Sequence, residues 1–367
     1  MLVLVIHLNI CEMKKIVMFL GLFLPVFFLF SCGGAERPEA ETDGGILVVS
    51  SKSGDDVYFV DRWTGDVLLV LPTEREPHEV EVSDDGRIAV VCNYGDREQV
   101  GNTLSVYDVE AGELIRTIDL GEHTRPHGMQ WISGTTRMLV TTEGSQHLLV
   151  VDVARGEVVK AMHTGEPVSH MVAATPQFSR AFVPSIRTGN VVVFDLETGE
   201  LIGSVYSGEG AEGIAVHPGG LEVWVTNRAE NTITIIDTQS LEVLDRIPCA
   251  DFPIRAKFTP DGSLFLVSNA RSGDVGVFDS VTREQLASIK LTPPVPDGED
   301  ETRYFAEFEG TSIPIGLVVP DNRWAYVANT RSDAVSIIDL ESMEITGHFA
   351  VGREPDGINY SPLRPQK

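Results

Sequence analysis

The sequence predicts an all-β fold, a seven-bladed β-propeller of four-stranded antiparallel blades. Three observations lead there. A two-strand unit recurs: Trp324–Asn329, a polar turn over 330–333, then Ala334–Asp339, with a near copy at 223–237. The second strand of each copy closes on aspartate, at Asp61, Asp108, Asp152, Asp195, Asp237, Asp279 and Asp339, in steps of 47, 44, 43, 42, 42 and 60 residues. A fixed period of about 40 residues marks a stack or ring of equivalent units. Finally, one period holds four short strands; in the copy after residue 211 they are expected at 212–217, 222–226, 232–237 and 241–247. Four strands per period, seven times over, is the pattern of a propeller rather than of a solenoid or sandwich. The closing aspartates are read as structural. Each opens a turn such as Asp195-Leu-Glu-Thr-Gly, where a carboxylate accepts hydrogen bonds from backbone amides just ahead of it.

Taken in order, residues 1–31 read as a targeting segment, with Met13 the expected true start. Lys14 and Lys15 supply the positive start and residues 16–30 an apolar run that is short for a membrane span. Leu29-Phe30-Ser31-Cys32-Gly33 resembles a bacterial lipobox, which implies a lipid on Cys32 and a lipoprotein anchored to the outer membrane, periplasmic or surface-exposed. Residues 32–45, polar and acidic, then form the lipidated cysteine and a flexible tether, and 46–367 form the propeller. Cys92 and Cys249 remain in the folded part, in different repeats, and no disulfide is indicated. No Cys-x-x-Cys-His motif occurs, which excludes the usual covalent haem attachment. The net charge is −26 over 367 residues, which repels phosphate backbones and argues against a nucleic-acid partner.

The phase of the repeat predicts how the ring closes. The chain enters at a second strand, 46–51, and ends on a first strand, 357–362, so the last strand should complete the first blade and remove an open sheet edge.

Several pieces carry a family resemblance: Tyr-Val-Ala-Asn at 326–329, Val-Trp-Val-Thr-Asn at 223–227, Phe-Thr-Pro-Asp-Gly at 258–262 and Glu-Pro-Asp-Gly-Ile at 354–358. They resemble the YVTN-repeat propellers over residues 46–362. The resemblance implies the fold. Its relatives include surface-layer and other extracytoplasmic binding proteins, lactonases and the propeller parts of some redox enzymes.

Aligning the repeats locates a candidate site. The segments leading into the first strands are Glu76-Pro-His78, Arg125-Pro-His127, Val168-Ser-His170, Gly210-Ala-Glu212, Phe252-Pro-Ile254, Ile313-Pro-Ile315 and Glu354-Pro-Asp356. Three successive blades present His78, His127 and His170 at one place, the next presents Glu212, and Asp356 flanks His78 from the other side. Imidazoles in register at a channel mouth can hold zinc or copper, or can bind or protonate an anion. Arg187, Arg228, Arg271 and Arg331 follow the second strand in four successive blades, where earlier blades carry Lys52, Tyr94 and Glu143. Such arginines suit carboxylate or phosphate. Two insertions, 94–102 and 291–312, the latter with Tyr304 and Phe305, are expected as loops on the same face. No Gly-x-Ser-x-Gly elbow or phosphate-cradling glycine loop occurs. The first expectation is therefore an extracytoplasmic binding protein that takes a small anionic ligand or a protein partner at the channel mouth. The alternatives are a lactonase-like hydrolase, with Glu212 and His127 or His170 moving protons and Arg228 or Arg271 stabilising an oxyanion, and a metal site on His78, His127 and His170.

Overall fold

The computed structural model describes residues 44–294, 303, 305–308 and 310–366. The leader, Cys32, nearly all of the tether and Tyr304 lie outside the described residues. Among the described residues, 28 strands make seven four-stranded antiparallel sheets. Blade 1 is built from both chain ends: Pro355–Ser361 lies innermost and pairs with Ile46–Ser51, which is followed by Asp56–Asp61 and Val67–Pro72. Blades 2 to 7 follow in chain order. Their innermost strands are Pro77–Val82, Pro126–Trp131, Ala173–Ala174, Ala211–Val216, Pro253–Phe258 and Pro314–Val318.

Burial explains the apolar runs. A second strand such as Ile46–Ser51 is buried along its whole length, because neighbouring blades cover both of its faces. Between blades 5 and 6 the filling is aromatic, with Trp224, Phe258 and Phe265 in mutual contact. The closing aspartates act as expected. Asp61 Oδ1 accepts from the amides of Trp63 and Thr64 at 2.9 and 2.8 Å, and Asp237 and Asp279 repeat the pattern.

Some boundaries differ from expectation: the last strand runs Pro355–Ser361 rather than 357–362, and the first strand of blade 5 runs Ala211–Val216 rather than 212–217. The fourth strand of blade 5 starts at Val243 rather than 241, because Leu241 sits in the turn at a φ of 63°. The 94–102 insertion is mostly not a loop: strands Ile88–Gly95 and Val100–Asp108 stay paired up to Gly95 and Val100, leaving a turn over 96–99.

The innermost strands share a local geometry that the rest of the molecule uses. The residue two places before each candidate site position has a positive φ, between 46° and 75°: Glu76, Arg125, Val168, Gly210, Phe252, Ile313 and Glu354. For β-branched Val168 and Ile313 this is a rare conformation, costing on the order of 1–3 kcal/mol. One hydrogen bond recurs at all seven. The carbonyl accepts, at 2.9–3.2 Å, from an amide at the end of the second strand: Tyr94, Glu143, Ile186, Arg228, Ala270, Thr330 and Lys52 in the same order.

Two residues later the strand bulges. In blades 1, 2, 3, 5, 6 and 7 two inner-strand residues oppose one residue of the second strand, as His78 and Glu79 oppose Cys92. In blade 4 the ladder breaks, with Ser169 bridged to Ser185 and pairing resumed only at Ala173. A bulge leaves an inner-strand amide without a ladder partner. Here the opposing side chain takes it: Gly128 N–H donates to Thr141 at 2.8 Å, Gly213 to Thr226 at 2.9 Å, Gly357 to Ser50 at 2.8 Å and Glu79 to the Cys92 thiol at 3.1 Å. Side chains at this place also donate onward to the next blade, Ser50 to the His78 carbonyl at 2.5 Å, Thr141 to that of His170 and, in blade 6, Ser268 to that of Ile315 at 2.7 Å. Cys92 and Cys249 are free thiols. Burial pushes the Cys92 thiol far up, consistent with this structural use.

Two outcomes test the closure and the packing of the inner strands. Ending the chain at Glu354 removes the inner strand of blade 1 and should lower the melting temperature by on the order of 10 °C; an unchanged melt contradicts the closure. A Cβ on Gly316 would collide with the Asp356 carbonyl oxygen of the neighbouring blade. Gly316→Ala should therefore cost about 1–3 kcal/mol in denaturant unfolding.

Candidate functional site

A regular strand would send only one of two successive side chains toward the channel. The bulge turns both. At the first position stand His78, His127, His170, Glu212, Ile254, Ile315 and Asp356, and at the second Glu79, Gly128, Met171, Gly213, Arg255, Gly316 and Gly357. The pairing of Arg255 with Glu79 shows the direction. These residues belong to blades 6 and 2, which meet only across the channel, yet the Arg255 Nε and Nη2 atoms lie 2.9 and 2.5 Å from Glu79 Oε1.

Around this crossing pair the first-position residues form one buried network. Lys52 Nζ reaches Asp356 at 3.3 Å, and His78 Nδ1 lies 3.6 Å from the same carboxylate. The His78 ring stacks on Tyr94, with centroids 4.2 Å apart, and meets His127 edge-on at 5.0 Å. His127 and His170 approach to 3.8 Å between centroids. His170 is held at both ends, Nδ1 by Glu143 and Nε2 by Glu212 at 3.1 Å. Glu212, 1% exposed, also accepts from Arg228 at 2.6 Å and from Arg255 at 3.2 Å. Tyr94 donates its hydroxyl to Glu143 at 2.5 Å. His127 Nδ1, 4.0 Å from Glu79, and Asp356 Oδ1 are buried without a hydrogen-bond partner.

The electrostatics sort the histidines into two kinds. Burial, with Lys52 and His170 adding to it, holds His78 and His127 well below the ordinary histidine range, so both are neutral. Burial also works against charge on His170, but Glu212 and Glu143 outweigh it and raise its pKa. Burial would lift the Glu212 carboxyl; His170, Arg228 and Arg255 override it and hold Glu212 at about 2. Burial and the nearby Glu143 raise the Tyr94 phenol.

The structure thus brings His78, His127, His170, Glu212 and Asp356 together. It divides the arginines. The recurring amide bond places Arg228 alone in register with Lys52, Tyr94 and Glu143; Arg187, Arg271 and Arg331 stand one residue later, behind Ile186, Ala270 and Thr330. Arg271 pairs with Asp251 at 3.5 Å and lies 4.4 Å over the Phe308 ring. Arg331 donates to the carbonyls of Phe308 and Ala306 at 2.5 and 2.7 Å, so these two arginines pin the insertion before blade 7. Arg187 is exposed and lines a separate surface hollow with Tyr206 and Arg228. Sequence reasoning missed Glu79 and Arg255, and passed over Lys52, Tyr94 and Glu143 as exceptions to an arginine pattern. A signal was present, since the second position is glycine in four blades and charged in two.

The Glu79–Arg255 pair divides the channel. The mouth on the histidine side is a cavity of about 760 Å³ whose walls include His78, Tyr94, Arg97, Arg125 and Arg303. On the other side lies one of about 290 Å³, lined by Glu81, Lys257, Asn359 and apolar side chains such as Met129 and Ile214.

Removing one partner of the crossing pair strands a buried charge. Arg255→Met should cost about 3–5 kcal/mol, and Glu79→Met in the same chain should recover most of it; equal loss in the double variant refutes the coupling. The neutral histidines set a second outcome. Below about pH 6.5 the unfolded chain takes up protons that folded His78 and His127 refuse, so stability should fall as pH drops, by up to about 1.4 kcal/mol per pH unit per group. His170 acts the other way, losing its contribution as pH rises through its raised pKa. His78→Gln with His127→Gln should flatten the acid limb measured by urea unfolding.

No family model and no curated protein matches the sequence. Solved structures do. A chain of Kuenenia stuttgartiensis hydrazine synthase is similar with a TM-score of 0.65 and 21% identity, over 81% of this chain and 93% of that one. A functionally unknown protein from Desulfotomaculum acetoxidans is similar with a TM-score of 0.70 and 15% identity, over 88% and 99%. At these identities the likeness shows the fold alone: the chain is a seven-bladed β-propeller.

Proposed function

We propose that the protein is a binding protein of the bacterial cell envelope. On this reading it is a YVTN-type propeller, held to the outer membrane through lipid on Cys32, that takes a small anionic ligand at the histidine mouth of its channel. The observation that carries the binding site is the buried network at the floor of the mouth, where His127 Nδ1 has no hydrogen-bond partner and, as an N–H, can donate to an anion. Buried polar atoms without partners are uncommon and call for an explanation, of which a ligand is one. The walls of the mouth mix charges, Arg97, Arg125 and Arg303 with Glu76, Asp96 and Glu98, and Arg303 is paired with Asp333, so Arg97 and Arg125 are the groups that would meet an anion.

The hydrolase reading is weaker. It assigns proton transfer to Glu212, and a carboxyl held at about 2 by three cations is a poor base near neutral pH. Glu212 is also saturated by His170, Arg228 and Arg255.

Thermal melts with EDTA present, against a panel of small carboxylates and inorganic oxyanions, test the binding. At ligand near 100 times its dissociation constant, about 2.7 kcal/mol of stabilisation is expected, and Arg125→Ala with His127→Gln should remove it. No shift with any member of the panel removes the proposal. The anchor is tested separately, since Cys32→Ser should move the protein from the membrane to the soluble fraction.

A further inference from the structure

We infer that the floor of the histidine mouth is a site for one divalent transition-metal ion, held by His127, His170 and Glu143. The inference rests on the binding reading above and names what the site binds. The set differs from the three-histidine set suggested by register, because Glu143 replaces His78.

Three observations meet at these residues. One ligand atom from each of His127, Glu143 and His170 lies within 4.8 Å of the others, close enough for a single ion to gather with small side-chain movement. The outer partners are also in place. Glu212 accepts from His170 Nε2 at 3.1 Å, which leaves Nδ1 as the coordinating atom, and Tyr94 holds the second oxygen of Glu143. A carboxylate behind a histidine is the usual way proteins orient that ligand. Lastly, Glu79, Glu143, Glu212 and Asp356 are answered by Lys52, Arg228, Arg255 and His170, and an ion bound at His170 Nδ1 and Glu143 would keep those carboxylates compensated.

Two imidazoles and one carboxylate fit zinc with an open position, or an iron(II)-type facial set. Calcium and magnesium, which prefer all-oxygen surroundings, fit poorly. The ion takes the place of the hydrogen between His170 Nδ1 and Glu143, and that proton leaves to solvent. Its open position would be where a small anion coordinates.

The full soluble chain, made without a histidine tag and stripped with EDTA, is titrated with Zn²⁺ by calorimetry and with Co²⁺ by visible absorption. A surface trio complicates the readout: His147 lies between His123 and His163, with ring centroids 4.7 and 4.9 Å away. The titrations are therefore run on His147→Ala as well. The expected result is one tight equivalent in both chains, with a cobalt spectrum of mixed nitrogen and oxygen ligation. His127→Ala and Glu143→Gln should weaken binding at least 100-fold, and Glu212→Gln about 10- to 100-fold. Glu143→Gln keeps the shape of the side chain, so it serves even if His127→Ala fails to fold. Less than a tenth of an equivalent overturns the inference. So does binding lost only in His147→Ala, or unchanged in Glu143→Gln. If the anions bind in EDTA and no metal binds, the inference falls and the binding reading stands. If neither binds, both fall.

Discussion

The site depends on one backbone irregularity, an extra residue at the head of each inner strand. Without it, side chains would alternate, and His78 and Glu79 would face opposite ways. With it, two neighbours from one blade both reach the axis, so seven blades supply a ring of first positions and a ring of second ones. The irregularity is held from both sides. Upstream, a left-handed residue offers its carbonyl to the end of the second strand; opposite, Ser50, Cys92, Thr141 or Thr226 satisfies the amide that the bulge leaves over. Because several of these hydroxyls also bond to the next blade, the device that aims the side chains also fastens the ring.

What the bulges bring together would be costly unless it were compensated. Buried carboxylates and cations each lose solvation, and their mutual attraction repays that only where geometry is good and no partner is missing. Here His170 and Arg255 each meet two carboxylates and Glu212 meets three cations, while one oxygen of Asp356 is left without a hydrogen-bond partner. Such a network is weak as a source of stability and strong as a source of order. It fixes which histidines are neutral and which is charged, and so what the mouth offers a ligand.

The ring was legible in the sequence because it repeats. Closing aspartates, apolar second strands and the phase of the first and last strands each recur, and repetition averages out local ambiguity. The first-position residues were legible for the same reason, since prolines at 77, 126, 253, 314 and 355 mark the register. The second-position residues were not. A bulge depends on the partner strand and leaves no change in periodicity that one strand can show, so Glu79 and Arg255 read as ordinary strand residues. The arginine alignment slipped by one for a related reason: Arg187, Arg271 and Arg331 differ from Arg228 only in which amide meets the left-handed residue, a tertiary fact. A trace existed in the small polar residue that interrupts several second strands, as in Val-Val-Cys-Asn and Val-Trp-Val-Thr-Asn.

The second positions carry a further consequence. Going round from blade 2, large and small alternate: Glu79, Gly128, Met171, Gly213, Arg255, Gly316. An odd-membered circle cannot sustain that rhythm, and the mismatch falls where Gly316 adjoins Gly357, at the seam between blades 7 and 1. The plug of the pore is therefore eccentric by arithmetic, crowded toward blades 2 to 6 and bare at the seam. A molecule descending the axis meets a lopsided floor, and its orientation is chosen before any of its own groups is recognised.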